Sequence, residues 1–123
     1  MNTKTINIQV LALLGDAIFS LYIREELIKI GINNSKKLQN KLIEYVSAKG
    51  QVKILNNLIE TNFLSEEELD IVKRGRNNKK ENHPKNTEIV TYKLSTGFEA
   101  LLGDLYLNNK NRLKEVLSKI EVK

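Results

Sequence analysis

The chain has no cysteine, one proline (Pro84), one histidine (His83), and no apolar run as long as a membrane span. Each scarcity removes a class of protein. Without cysteine there is no disulfide framework and no thiolate zinc site, and a reducing compartment is allowed. A membrane helix needs about 20 consecutive apolar residues. The greasy segment near the N-terminus is interrupted by Asp16 and lacks the cleavage-site pattern of a secretory signal. The expectation is a soluble, cytoplasmic protein with no membrane partner. The lone histidine lies among basic residues beside Pro84 and reads as a loop residue near phosphate, not as a metal ligand.

What is present fits one domain spanning 1–123, with 41% hydrophobic residues to form a core. The net charge is +5, and its placement is informative. Lys73, Arg74, Arg76, Lys79, Lys80 and Lys85 are opposed only by Glu81, whereas the rest of the chain balances fourteen bases with fourteen acids. The whole excess sits in a basic loop, 73–86, as a local polyanion-binding segment would have it. A merely solubilising charge run is the plain alternative.

Apolar spacing predicts helices throughout. The first, from about Ile8 to Ile30, is apolar on almost every side and is expected to be buried, with Gly31 as its stop and Ser35 capping the next. A second helical region, about Lys36 to Glu60, is expected to bend or split at Gly50. Ser65 and Glu68 form a capping-box pattern ahead of a short helix that ends at Gly75. Helices over about Thr87 to Leu107 and around Leu113 to Ile120 complete an all-α array.

Two apolar segments each contain Leu-Leu-Gly-Asp, at Leu13–Asp16 and Leu101–Asp104, and Glu99 precedes the second. At about 100° per residue, Glu99 and Asp104 point to different faces. Asp104 reads as a solvated acid near the helix end, and the echo as a coincidence of composition. Asp16 has little on its own helix to satisfy a charge. If buried, it must be neutralised, hydrogen-bonded or bound to a cation, the alternative being a slot at the surface. Should Asp16 and Glu99 converge, two carboxylates without histidine or cysteine suit Mg²⁺, with Mn²⁺ as a substitute.

These segments carry a resemblance. Leu11–Phe19, LALLGDAIF, resembles the signature helix of the ribonuclease III family, and Ser95–Leu107, STGFEALLGDLYL, resembles that family's second signature. Between them, YVSAKGQVKIL (Tyr45–Leu55) looks like a further family helix, and the order and spacing agree over most of the chain. The likeness is closest to the family's short form, Mini-ribonuclease III, a nuclease domain without the double-stranded-RNA-binding domain. The resemblance implies a ribonuclease III endonuclease-domain-like helical bundle. It also implies Asp16 and Glu99 as metal-binding catalytic acids, a homodimer, and 5′-phosphate and 3′-hydroxyl products. Ala12 and Thr96 stand where the larger family has metal-binding acids, Gln9 occupies a further acidic position, and Leu13 replaces an aromatic. Thr96 and Gln9 are therefore supporting positions.

The function expected is Mg²⁺-dependent endonucleolytic cleavage of double-stranded RNA, with precursor 23S ribosomal RNA as the substrate the short form implies. Lys73, Arg74, Arg76, Lys79, Lys80 and Lys85 would bind the RNA, and a ribosomal protein is a conceivable further partner. The rivals are a catalytically inactive RNA-binding or ribosome-assembly factor with the same fold, and a helical protein-interaction domain.

Overall fold

A computed structural model describes residues 1–78 and 88–123. Among them the order is a 3₁₀ turn (Thr3–Thr5), α1 (Ile8–Lys29), α2 (Ser35–Val46), α3 (Ala48–Glu60), α4 (Glu66–Arg76), α5 (Ile89–Asn108) and α6 (Lys110–Ser118), with no strand. The all-α expectation holds.

Local chemistry sets most boundaries. The Asn7 side chain accepts from the Gln9 N–H at 2.7 Å and starts α1. Gly31 ends it at φ +101°. The Ile32 N–H donates to Leu27 O and the Gly31 N–H to Ile28 O, so the last carbonyls are satisfied by a left-handed cap. Asn34, not Ser35, caps α2, its side chain accepting from the Lys37 N–H at 3.0 Å.

The break in the second helical region falls at Ser47, not at Gly50. Ser47 adopts an extended conformation and its hydroxyl accepts from the Gly50 N–H at 3.1 Å, which starts α3. Gly50 serves the joint differently: a Cβ there would run into the Glu44 and Tyr45 carbonyls. Gly75 is likewise not a stop. It lies inside α4, where a Cβ would come within 2.6 Å of the Gly97 Cα, so α4 and α5 meet backbone to backbone.

The capping box forms as expected. The Glu68 N–H donates to Ser65 Oγ at 3.1 Å and the Ser65 N–H to Glu68 Oε1 at 2.9 Å. The same carboxylate receives Arg112 Nε at 2.7 Å and Nη2 at 2.8 Å, and Nη2 also donates to Phe63 O. This two-pronged pair clamps α6 to the start of α4. Arg112 and the Ser65 bonds hold the Glu68 carboxyl below its ordinary value of 4.5, despite burial that pushes it up. A depressed carboxyl contributes stability above its unfolded pKa and loses it as pH falls through the folded value. Glu68→Gln should therefore cost about 2 kcal/mol at neutral pH, the scale of hydrogen bonds to a charged group. The difference in melting temperature from the parent should shrink as pH drops below 4.5; a gap that stays constant with pH would show the pair to be inert.

α5 is the central element and packs against α1, α3, α4 and α6. Every residue from Ser95 to Leu105 is buried except Glu99. Phe19 of α1 meets Phe98 edge to face, with centroids 5.6 Å apart. α1 departs from expectation: Leu11, Gly15, Phe19, Ile23 and Leu27 face the core, whereas Val10, Leu13 and Leu21 are more than half exposed. One side is buried, and the other presents an apolar stripe at helical spacing.

Candidate active site

α1 and α5 cross antiparallel, and the crossing is built on two glycines. A Cβ on Gly15 would fall inside the Glu99 carbonyl, and one on Gly103 would fall inside the Leu11 carbonyl. Each contact lies one helical turn from the other on both helices. The repeated Leu-Leu-Gly-Asp is thus not a coincidence of composition, because each copy supplies the glycine that admits the other helix's backbone.

Asp16 follows Gly15 and is exposed. The surface slot, not the buried carboxylate, is its situation, so no desolvation forces it toward a partner. Glu99 is partly buried and accepts from Gln51 Nε2 at 3.1 Å on Oε2. The direct backbone contact at the crossing brings the segments carrying the two acids together. Gln9 lies two turns before Asp16 on the same face of α1.

Ala12 and Thr96 are both buried, at 4% and 3% exposure. The Thr96 hydroxyl donates to Tyr92 O at 3.1 Å and so is engaged with its own helix. Asp104 overturns the expectation of a solvated acid. It is 8% exposed, and Asn108 Nδ2 donates to its Oδ1 at 3.3 Å and to Thr3 Oγ1 at 2.5 Å. The N-terminal turn closes over this end of α5, which a helix-wheel reading of α5 alone does not reveal. The separation of Asp104 from Glu99 stands.

Of the basic residues, Lys73, Arg74 and Arg76 belong to the last turn of α4, not to a loop. Lys73 and Arg74 are exposed, and Arg76 Nε donates to Asn77 Oδ1 at 3.1 Å. The Gly75–Gly97 contact fixes this basic turn against α5 beside Thr96. Lys79, Lys80, His83 and Lys85 lie outside the described residues.

As a donor set for a cation, Asp16 and Glu99 offer carboxylate oxygens only, which fits Mg²⁺ or Mn²⁺. Among the described residues no three of histidine, cysteine, aspartate or glutamate gather as a cation cage. A site resting on two carboxylates, with water and substrate phosphate filling the remaining positions, is within the range that Mg²⁺ accepts.

The ribonuclease III domain profile matches residues 9–110. The chain belongs to the ribonuclease III family. It is 41% identical over 119 residues to a Mini-ribonuclease 3 of Streptococcus pneumoniae, covering 96% of this chain and 93% of that one. It is 46% identical over 109 residues to the Mini-ribonuclease 3 of Brevibacillus brevis, covering 88% and 80%. A crystal structure of a Fusobacterium nucleatum protein superposes with a TM-score of 0.81 at 32% identity, over 95% of this chain and 93% of that one. The chain is a ribonuclease III-type endoribonuclease of the Mini-ribonuclease 3 kind, and the family-like bundle read from the sequence is the fold found.

Gln51 escaped the sequence reading. Its signal was available: it shares a face of α3 with Leu55 and Leu58, and it is a polar residue at a core position.

Proposed function

We propose that this endoribonuclease cuts double-stranded RNA in a Mg²⁺-dependent reaction, with Asp16 and Glu99 as the acids that hold the ion. The observation carrying the reading is the α1–α5 crossing at Gly15, which joins the segments bearing the exposed Asp16 and the partly buried Glu99. Mg²⁺ bound there would supply Lewis acidity toward phosphate oxygen and would make water a better nucleophile. The two carboxylates orient that chemistry at the rim of the bundle. Gly15 admits the α5 backbone at Glu99 itself, next to Asp16 in the chain. Products would carry 5′-phosphate and 3′-hydroxyl ends. Precursor 23S ribosomal RNA is the substrate proposed, in the cytoplasm, with a ribosomal protein as a conceivable presenter.

A homodimer would bring two such sites to the two strands of a duplex. Supporting it is the apolar stripe of Val10, Leu13 and Leu21, which no part of the described chain covers to even half. No helix of the described residues is long and apolar enough to cross a membrane, so this stripe is not the face of a membrane span.

Purified protein should cut a long RNA duplex when Mg²⁺ is present and leave it intact in EDTA, and it should sediment as a dimer at micromolar concentration. Cleavage persisting in EDTA would remove the metal, cleavage confined to single strands would remove the duplex, and a sole species of 14.1 kDa would remove the two-strand arrangement.

Lys73, Arg74, Arg76, Lys79, Lys80 and Lys85 are proposed to grip the duplex backbone by charge, since A-form RNA is recognised largely through shape, phosphates and 2′-hydroxyls. Each neutralised phosphate contributes about 0.9 to the slope of affinity against salt on B-form DNA. Replacing Arg74, Arg76, Lys79 and Lys80 with alanine should weaken duplex binding and flatten that slope by up to about three to four units. Cleavage at saturating RNA should fall much less. An unchanged slope would show the basic run to be a solvated surface.

A further inference from the structure

Gln51 is 1% exposed. Its Nε2 donates to Glu99 Oε2 at 3.1 Å and to Val46 O, the last residue of α2, at 3.3 Å. Its Oε1 is fully buried and has no hydrogen-bond partner among the described residues. An orphaned buried oxygen costs about 1–3 kcal/mol. Leucine or methionine would avoid that cost and continue the apolar face of Leu55 and Leu58. The orientation of the amide follows from chemistry: a flipped group would set its oxygen against the Glu99 carboxylate, whereas the N–H donor attracts it.

We propose that Gln51 is a positioning residue for Glu99. This rests on the reading of Asp16 and Glu99 as the cation-holding pair. By donating to Oε2, the amide limits rotation of the carboxyl group that would hold the cation. The second bond, to Val46 O, ties the amide to the α2–α3 joint. The kink at Ser47 sets the start of α3, so the joint helps decide where the Glu99 carboxylate is held. The geometry gives a rigid support for the proposed two-acid site, and the Gln51 Oε1, without a hydrogen-bond partner among the described residues, is the cost of that support.

The test uses Gln51→Met, which keeps the length of the side chain and removes both polar atoms. Calorimetric titration with Mn²⁺ alone should show affinity lowered about tenfold, the low end of the effect of losing a group that orients a metal ligand. The melting temperature of the metal-free protein should stay level or rise, since the orphaned oxygen is gone. Raised Mn²⁺ should restore most of the duplex cleavage lost at low Mn²⁺. Unaltered Mn²⁺ affinity in a folded Gln51→Met protein would overturn the proposal. Should that variant not fold, the parent chain decides: addition of diamagnetic Mg²⁺ should shift the NMR signals of the Gln51 side-chain NH₂, and signals that do not move would overturn the proposal equally. A parent chain that binds neither ion would instead sink the two-carboxylate metal reading beneath it, and this outcome is distinct from a parent that binds and a variant that binds as well.

Discussion

Asp16→Asn should lower cleavage of an RNA duplex by about a thousandfold or more, the upper end of what losing one preorganised electrostatic group costs. The amide keeps the size of the side chain and removes the charge on which a cation would rest. Because Asp16 is exposed, the fold should barely notice, with a stability change within about 0.5 kcal/mol. Glu99→Gln should lose as much cleavage. Asp104→Asn is the control: it lies at the far end of α5 with Asn108 and the N-terminal turn, so cleavage should be retained with a modest fall in melting temperature. Single-turnover cleavage alongside thermal melts measures all three. A loss with Asp104→Asn as deep as with Glu99→Gln would show that the face assignment on α5 is wrong.

Gly15→Ala is expected to be far more damaging to the structure than to any local chemistry. A methyl group there would occupy the Glu99 carbonyl, which is backbone and cannot swing away. The helices must part, and forced overpacking costs about 3 kcal/mol or more. For a domain of this size that lowers the melting temperature by about 10 °C. The surviving folded molecules should cut poorly, since the crossing that joins the segments bearing Asp16 and Glu99 has widened. A Gly15→Ala protein that melts and cuts like the parent would show the crossing to be looser than described.

The helical elements followed from apolar spacing, because local periodicity and cap chemistry decide them: the Ser65 cap and the Gly31 stop are short-range features. What spacing could not reveal was what lies opposite. Ser47 rather than Gly50 breaks the second region, because an extended serine can cap a helix while a glycine can be required for clearance. Gly75 was read as a terminator and is a contact point. Asp104 was placed outside because its own helix offered it an open side, whereas in the fold it is buried and held by Asn108, which also reaches Thr3 of the N-terminal turn. Asp16 was weighed as a buried charge from its apolar neighbours, yet α1 buries one side alone. The family resemblance alone singled out Asp16 and Glu99 as an acid pair, and that pairing is the reading proposed above. The sequence marks Gln51 as a polar residue on the apolar face of Leu55 and Leu58, but that its partner is Glu99 shows only in the structure.

The antiparallel meeting of α1 with α5 has a consequence in time. Its two halves stand near opposite ends of the chain, and contacts of such long sequence separation must offset the entropy of closing the intervening loop before they contribute. A polypeptide emerging from the ribosome N-terminus first carries Asp16 almost from the start, but it has no Glu99 to set beside it until α5 has been synthesised and released. Helices α1 to α4 can become helical earlier, yet none of them supplies the second acid. With Asp16 and Glu99 as the proposed acid pair, nuclease competence would arrive only near the end of synthesis, when the last long helix docks.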